Sequence, residues 1–423
     1  MTSQFRITKV KNIALILVAI LIPVGNPRWS GMSVIIITLL WLIEGDFRLK
    51  LTRLKSNPVL IAFILLFLLY PISLLYTEHQ LNGLFNVEKH LAFLFLPLVI
   101  FTSELNEKNV RYAMNAFIYT GTFLMFFCIL VAMHDYLVTG NIEVQIGQNI
   151  SNKFLYYGLV RAIPGWHPIY IAMIMNLSVI FYLNKIVKNW KNIPISYKVL
   201  LGSVILFSVI SILLLNALSG ILTLIFIGIL SMIYFILKVG KKRLLIAGLI
   251  LVAGSSAAIL SFNRPFREKI SAVFTDKLEP TDDAGKRNAL SIRLAKWDAG
   301  LLVVRENPLF GVGPGDAKYE LYKAYQKKKY LYLAEMQYNA HNQYFEFLIA
   351  FGLVGFSIYL FIIFHCGVIA VRRRDLLLMS CIIILILAGF SESILDRQQG
   401  VLFFSFLVPL ILKRNTSNDK AQQ

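Results

Sequence analysis

The 423-residue chain is 57% hydrophobic and 15% charged, with a mean hydropathy of +0.68, where soluble domains run at roughly 45–50% and 25%. A water-soluble fold cannot hide that much Ile, Leu and Phe, so the composition excludes one and predicts an all-α polytopic membrane protein. The net charge of +19 is no sign of nucleic-acid binding, because its cations are scattered through short loops, where anionic membrane lipids attract them.

A spanning helix needs about 20 mostly apolar residues, and that ruler predicts about twelve. The first, Asn12–Pro27, follows Arg6, Lys9 and Lys11; with no small-residue cleavage site after it, it reads as a retained helix rather than a signal peptide. Then come Trp29–Ile43, Pro58–Tyr76, Phe85–Thr102, Tyr112–Val138, Trp166–Leu183, Val199–Leu215, Leu218–Leu237 and Leu244–Phe262. Tyr344–Phe364, Leu376–Ile394 and Gly400–Leu412 complete the set. The first, second and fourth are short or interrupted and are expected to tilt or to dip into the bilayer. Cys128, Cys366 and Cys381 all fall inside apolar runs and read as small buried hydrophobes.

Basic residues orient these spans. With the N-terminus inside, 23 of the 42 Lys and Arg lie in cytoplasmic segments, 5 in short outer loops and 14 in one long outer loop. Long loops cross regardless of charge, so both termini are expected in the cytoplasm. The expected organisation is nine spans over 1–262, a large periplasmic loop over 263–343, three spans over 344–412 and a cytoplasmic tail over 413–423. Ionisable residues at mid-membrane depth, the mark of a transporter's relay, are scarce.

The long loop carries two predicted amphipathic helices. In the first, Leu290, Leu294, Trp297, Leu301 and Val304 form one apolar stripe, with Arg293 and Lys296 beside each other on a neighbouring face. It is expected to stop at Asn307-Pro308, because the residue before proline resists the helical region. A tight turn follows over Gly311–Gly315. The second helix, about Asp316–Met336, alternates tyrosine with lysine and suits a membrane interface or a sugar-phosphate surface. Asn339-Ala340-His341-Asn342 then precedes the tenth span. Asn339 is expected to cap that span and His341 to lie in its first turn, at the outer face, where a hydrated imidazole can act as a general base near neutral pH. Asp276, Glu279, Asp282 and Asp283 show no carboxylate–x–carboxylate pair and no His/Cys cluster has metal spacing. The expected chemistry is metal-independent and uses no cofactor.

His341-Asn342, nine residues, Gly352, two residues, Gly355 resembles the signature of bacterial O-antigen ligases. Arg293 with Trp297, Asn307-Pro308-Leu309-Phe310-Gly311-Val312-Gly313, His167-Pro168 and Glu392…Arg397-Gln398-Gln399-Gly400 fit the wider superfamily of O-antigen ligases and polymerases. The resemblance implies a glycosyltransferase of the inner membrane that needs no nucleotide sugar. It takes a glycan from undecaprenyl diphosphate and passes it to a sugar hydroxyl of lipid A–core, at the periplasmic face. On that reading His341 is the base. Arg293 holds the leaving diphosphate, with Arg161 and Lys296 behind it, Asn342 contacts substrate, and Glu392 pairs with Arg397 to shape the floor.

Two features qualify the match. Many relatives carry an arginine in a Ser-Arg-Gly-like motif at the outer start of a central helix. Here Asn216-Ala217-Leu218-Ser219-Gly220 places Leu218 there, and Arg161 is the expected replacement. Polymerases of the pathway often show arginine, fifteen residues, glycine in periplasmic loops, and no outer-face arginine here has that spacing. The pattern favours a ligase over the alternatives, an O-antigen or exopolysaccharide polymerase using the same donor, or a lipid-linked glycan flippase.

Overall fold

The computed structural model describes residues 2–146, 149–190, 192–239, 279–283 and 289–420, together with Gly254 and Ser271. The ninth expected span, Leu244–Phe262, lies outside them apart from Gly254. The described chain is helical except for a hairpin of β1 (Glu143–Ile146) and β2 (Asn149–Asn152), paired antiparallel. Six helices are long and apolar enough to cross a membrane: α1 (Thr2–Val24), α5 (Gln80–Thr102), α6 (Glu107–Thr139), α8 (Pro168–Lys188), α9 (Ile195–Leu215) and α14 (Gln343–Arg372). A seventh is added if α3 (Phe47–Lys55) and α4 (Pro58–Ser73), bent by 95°, count as one span. Three shorter apolar helices are α2 (Pro27–Ile43), α10 (Leu218–Val239) and α15 (Leu376–Ser391). The fourth expected span is a full 23-residue helix, because α5 begins at Gln80 and not at Phe85.

The centre is α8, buried continuously from Pro168 to Tyr182 and packed against α6, α9, α10 and α15. Inside it Asn176 donates to the Gly220 carbonyl of α10 at 3.0 Å. A Cβ on Gly220 would stand 2.7 Å from that of Ala172, so glycine allows the contact. At one end of the bundle Lys11 pairs with Glu44, Lys50 reaches the same carboxylate at 3.2 Å and Lys413 donates to Phe101 and Ser103 carbonyls. Trp166, Gln399 and Gly25 meet at the other, where Trp166 Nε1 donates to the Pro23 carbonyl at 2.9 Å. Parts of four segments that the basic residues assigned to one side, around 11, 44–50, 101–103 and 413, thus meet at one end.

α14 is not one rod. Gly352 breaks it with φ 59° and ψ −156°, a conformation essentially reserved for glycine. A break leaves amides and carbonyls unpaired, and none can stay so at membrane depth. The turn after α11 (Ala289–Glu306) fills the gap. Val312 and Gly313 donate to the Ile349 and Ala350 carbonyls, each at 2.9 Å. Leu353 and Val354 donate to Pro308 and Leu309 at 2.9 and 3.2 Å. Gly311 and Gly352 lie so close to the opposite backbone that a Cβ on either would meet it at 2.4–2.5 Å. The glycines noted in sequence as a tight turn are thus half of an inter-segment joint.

The loop helices differ from expectation in two ways. α11 ends as expected, yet its best-buried line is Ser291, Ala295, Ala299 and Val303, one step round from the predicted Leu/Trp stripe. Small residues let it approach α14 closely, with Gly300 against Ile349 and Phe345, and Leu301 is left 39% exposed. The predicted second helix is two, α12 (Ala317–Lys327) and α13 (Leu331–Met336), broken where Lys329 takes φ 61°. Asp282 caps α13 by accepting from the Tyr332 amide at 2.8 Å. Asp316 ties the start of α12 to α5 through Glu78 N, His79 N and His79 Nδ1 at 2.7, 2.9 and 2.6 Å.

Gly352→Ala should lose at least about 1–3 kcal/mol from the backbone conformation alone, before the clash is counted. Gly367→Ala in the same helix meets nothing within 4 Å and should be silent. Thermal unfolding of the two variants in detergent distinguishes these outcomes; equal melting temperatures would disprove the joint's importance.

Candidate active site

Two short stretches carry the site: residues 339–346 leading into α14, and 390–397 leaving α15. Five side-chain links zip them together. Asn339 Nδ2 donates to Asp396 at 3.1 Å, Asn342 Nδ2 to the Phe390 carbonyl at 3.5 Å, and Ser393 Oγ to Glu346 at 3.1 Å. The Leu395 amide donates to Gln343 Oε1 at 2.6 Å. The fifth link is His341 Nδ1 against both Glu392 oxygens, at 3.1 and 3.2 Å.

The cap is corrected by one turn of the chain. Asn342, not Asn339, caps α14, its Oδ1 accepting from Tyr344 N at 2.9 Å and Phe345 N at 3.3 Å. His341 precedes the helix with φ 45°, held by its amide to Asn339 Oδ1 at 3.2 Å. Positive φ is uncommon outside glycine, with Asn, Asp and His the enriched exceptions, and here this backbone conformation sets the direction in which the ring leaves the chain. Asn342 is buried and committed to capping, a structural duty in place of the expected substrate contact.

Facing Glu392, Nδ1 carries the hydrogen, which leaves the Nε2 lone pair free. Burial pushes the Glu392 carboxyl up, but the hydrogen bond from His341 leads the opposing influences, and the group is held below the usual carboxylate range. His167 caps α8 by accepting from Ile169 N at 3.3 Å. Burial lowers it to about 4, so it is a neutral ring with its hydrogen on Nε2.

Arg293 and Lys296 also feel the Glu392 charge. Arg293 donates to the Ser391 carbonyl at 3.4 Å. Lys296 sits over the Tyr338 ring, 4.0 Å from its centroid, and burial brings it down to about 7. Neither makes an ion pair among the described residues. Arg161 is elsewhere: it pairs with Asp135 and donates to the Gly158 carbonyl at 2.6 Å. Arg397 makes no ion pair with Glu392 among the described residues.

A cavity of about 650 Å³ opens on the dyad, within the usual ~300–1,000 Å³ of ligand sites. His341, Glu392, His167 and Arg397 line it, as does Tyr157; Arg293, Lys296 and Arg161 do not. Sequence reasoning brought Glu392 forward with the wrong partner and missed Tyr338 and Asp396. The available signal was a carboxylate, Ser391-Glu392-Ser393, at the C-terminal end of an apolar helix.

Residues 201–360 match the family described as O-Antigen ligase. Over that stretch the chain is similar to O-antigen ligases. The matched stretch holds Arg293, Lys296, the Pro308–Gly313 turn, His341 and Gly352, whereas Glu392 and Arg397 lie beyond it. An uncharacterized protein of Haemophilus influenzae (strain Rd) is 21% identical over 350 residues, spanning 82% of this chain and 80% of its own length. Family and apolar helices together make this a multi-pass bacterial membrane protein.

Lys296 should weaken the fold that holds it. Its folded pKa lies below the unfolded one, so the penalty of a buried charge is full below pH 7 and fades between about 7 and 10.5. Lys296→Met should therefore stabilise the protein by on the order of a few kcal/mol at pH 6, with the advantage shrinking towards pH 10. Melting temperatures across that range test it, and a pH-independent difference would refute it.

Proposed function

We propose that the protein transfers an O-antigen glycan from undecaprenyl diphosphate to a sugar hydroxyl of lipid A–core, at the periplasmic face of the inner membrane. The observation that carries the reading is the His341–Glu392 dyad. It faces a cavity on one side, and Glu392 is flanked by two cations without an ion-pair partner among the described residues. The reading includes about twelve spans, with 263–343 as the periplasmic loop between 1–262 and 344–412, and both termini, including the 413–423 tail, in the cytoplasm.

The chemistry follows from the tautomer. Nε2 of His341 accepts the proton of the acceptor hydroxyl as its oxygen attacks the anomeric carbon. The bond from that carbon to the diphosphate oxygen breaks, and undecaprenyl diphosphate leaves with the electron pair. Glu392 stabilises the imidazolium formed, and a single displacement inverts the anomeric centre. Arg293 can hold the leaving diphosphate by paired hydrogen bonds. Lys296, which burial keeps near neutrality, gains its full charge as the phosphate arrives. Together they supply the electrostatic stabilisation that a metal would otherwise give.

His341→Ala should lower transfer by about 10²–10⁴-fold without changing membrane insertion. Near-normal transfer by the purified variant would remove His341 as the base. Because Lys296 must be charged, the wild-type rate should fall as pH rises through about 7. Lys296→Arg should abolish that alkaline limb, since guanidinium stays charged. Transfer should also persist in excess EDTA; collapse with rescue by Mg²⁺ would defeat the Arg/Lys account. Deleting the gene should leave bare core and accumulated lipid-linked polymer on a lipopolysaccharide gel. Core bearing one repeat unit would point to a polymerase instead.

A further inference from the structure

The cavity beside the dyad and the cations behind it divide the charge unequally. Lys89, Lys318 and Arg397 line the cavity, but so do Glu346, Glu392 and Asp396, three of each sign among the described residues. A diphosphate brought into that space would meet three carboxylates and find one of the three cations already taken, since Lys89 pairs with Asp396 at 2.9 Å. Arg293 and Lys296 have no carboxylate pair and lie outside the lining. Desolvating an anion needs uncompensated positive charge, and that charge is on their side of Glu392.

What the cavity does offer is hydrogen bonding without net charge. Asn82, on α5, donates to the Tyr319 hydroxyl of α12 at 3.1 Å, which leaves its carbonyl oxygen free. The Lys318 and Gln337 side chains make no hydrogen bond among the described residues, and Asp396 is held open at the rim, its side chain 43% exposed. Tyr319 and Tyr338 add aromatic edges. Mixed donors and acceptors with aromatic carbon and no net charge match the hydroxyl-rich, partly apolar surface of a saccharide.

We propose that this cavity, walled by α5 and α12 with Asp396 at its rim, is the binding site for the acceptor saccharide, while the donor diphosphate lies outside it, with Arg293 and Lys296. The assignment rests on the glycosyl-transfer reading above, and it makes the two substrates reach His341 from different walls. Nε2 of His341 then meets the acceptor hydroxyl from the cavity, where the ring is 30% exposed.

The test uses the full-length protein in detergent and the exposed pair Asn82→Ala with Lys318→Ala, whose melting temperature is compared with wild type. One readout is binding of core oligosaccharide, released from rough lipopolysaccharide by mild acid, followed by saturation-transfer NMR. The other is steady-state transfer with rough lipopolysaccharide and lipid-linked glycan varied separately. The double variant should weaken oligosaccharide binding and raise the acceptor KM about tenfold or more, as expected for one or two lost hydrogen bonds, with donor KM unchanged. Arg293→Ala should do the reverse. Unaltered oligosaccharide binding by the double variant, or a raised donor KM instead, overturns the assignment while leaving the transferase reading intact. Wild-type binding that the double variant loses, in a protein that transfers nothing, upholds the saccharide site and sinks the transferase reading.

Discussion

Four main-chain hydrogen bonds, between a six-residue turn and a broken helix, hold the site end of this protein in register. The break at Gly352 leaves backbone groups without helical partners, and the Pro308–Gly313 segment supplies them. Because that turn follows α11 directly, the joint fixes Arg293 and Lys296 relative to the first half of α14, and so relative to His341 at its head. Trp297 stacked on Phe345, with centroids 5.9 Å apart, continues the same contact one layer outward. Without the joint the loop helix and the dyad would be positioned independently.

The five links between 339–346 and 390–397 do at short range what the joint does at long range. They enclose each dyad residue between bonded neighbours, so neither ring nor carboxylate can swing away alone. Such a lattice suits a proton transfer that tolerates little misplacement.

Much of the architecture was legible because hydropathy and loop charge report directly on the bilayer. Fully buried α8 and lipid-facing α9 give the same apolar run, and the run alone does not say which is central. Packing that runs through Ala, Ser and Gly, as on α11, is invisible to a search for large apolar side chains. His341 was legible from its motif and its place before a span. Its partner was not, because Glu392 is 51 residues away and Arg397 offered a nearer opposite charge. Backbone conformation decided that choice: the positive φ of His341 turns its ring towards α15. The same local view misplaced Arg161, whose counter-ion Asp135 comes from the preceding helix.

The buried pair of Lys11 and Glu44 sets how far one end of the bundle can yield. Lys11 is completely enclosed, and its counter-ion lies 33 residues later, where Lys50 shares the same carboxylate at 3.2 Å. One buried anion thus fastens α1 to the link between α2 and α3, and a slide of either against the other would strand a charge away from water.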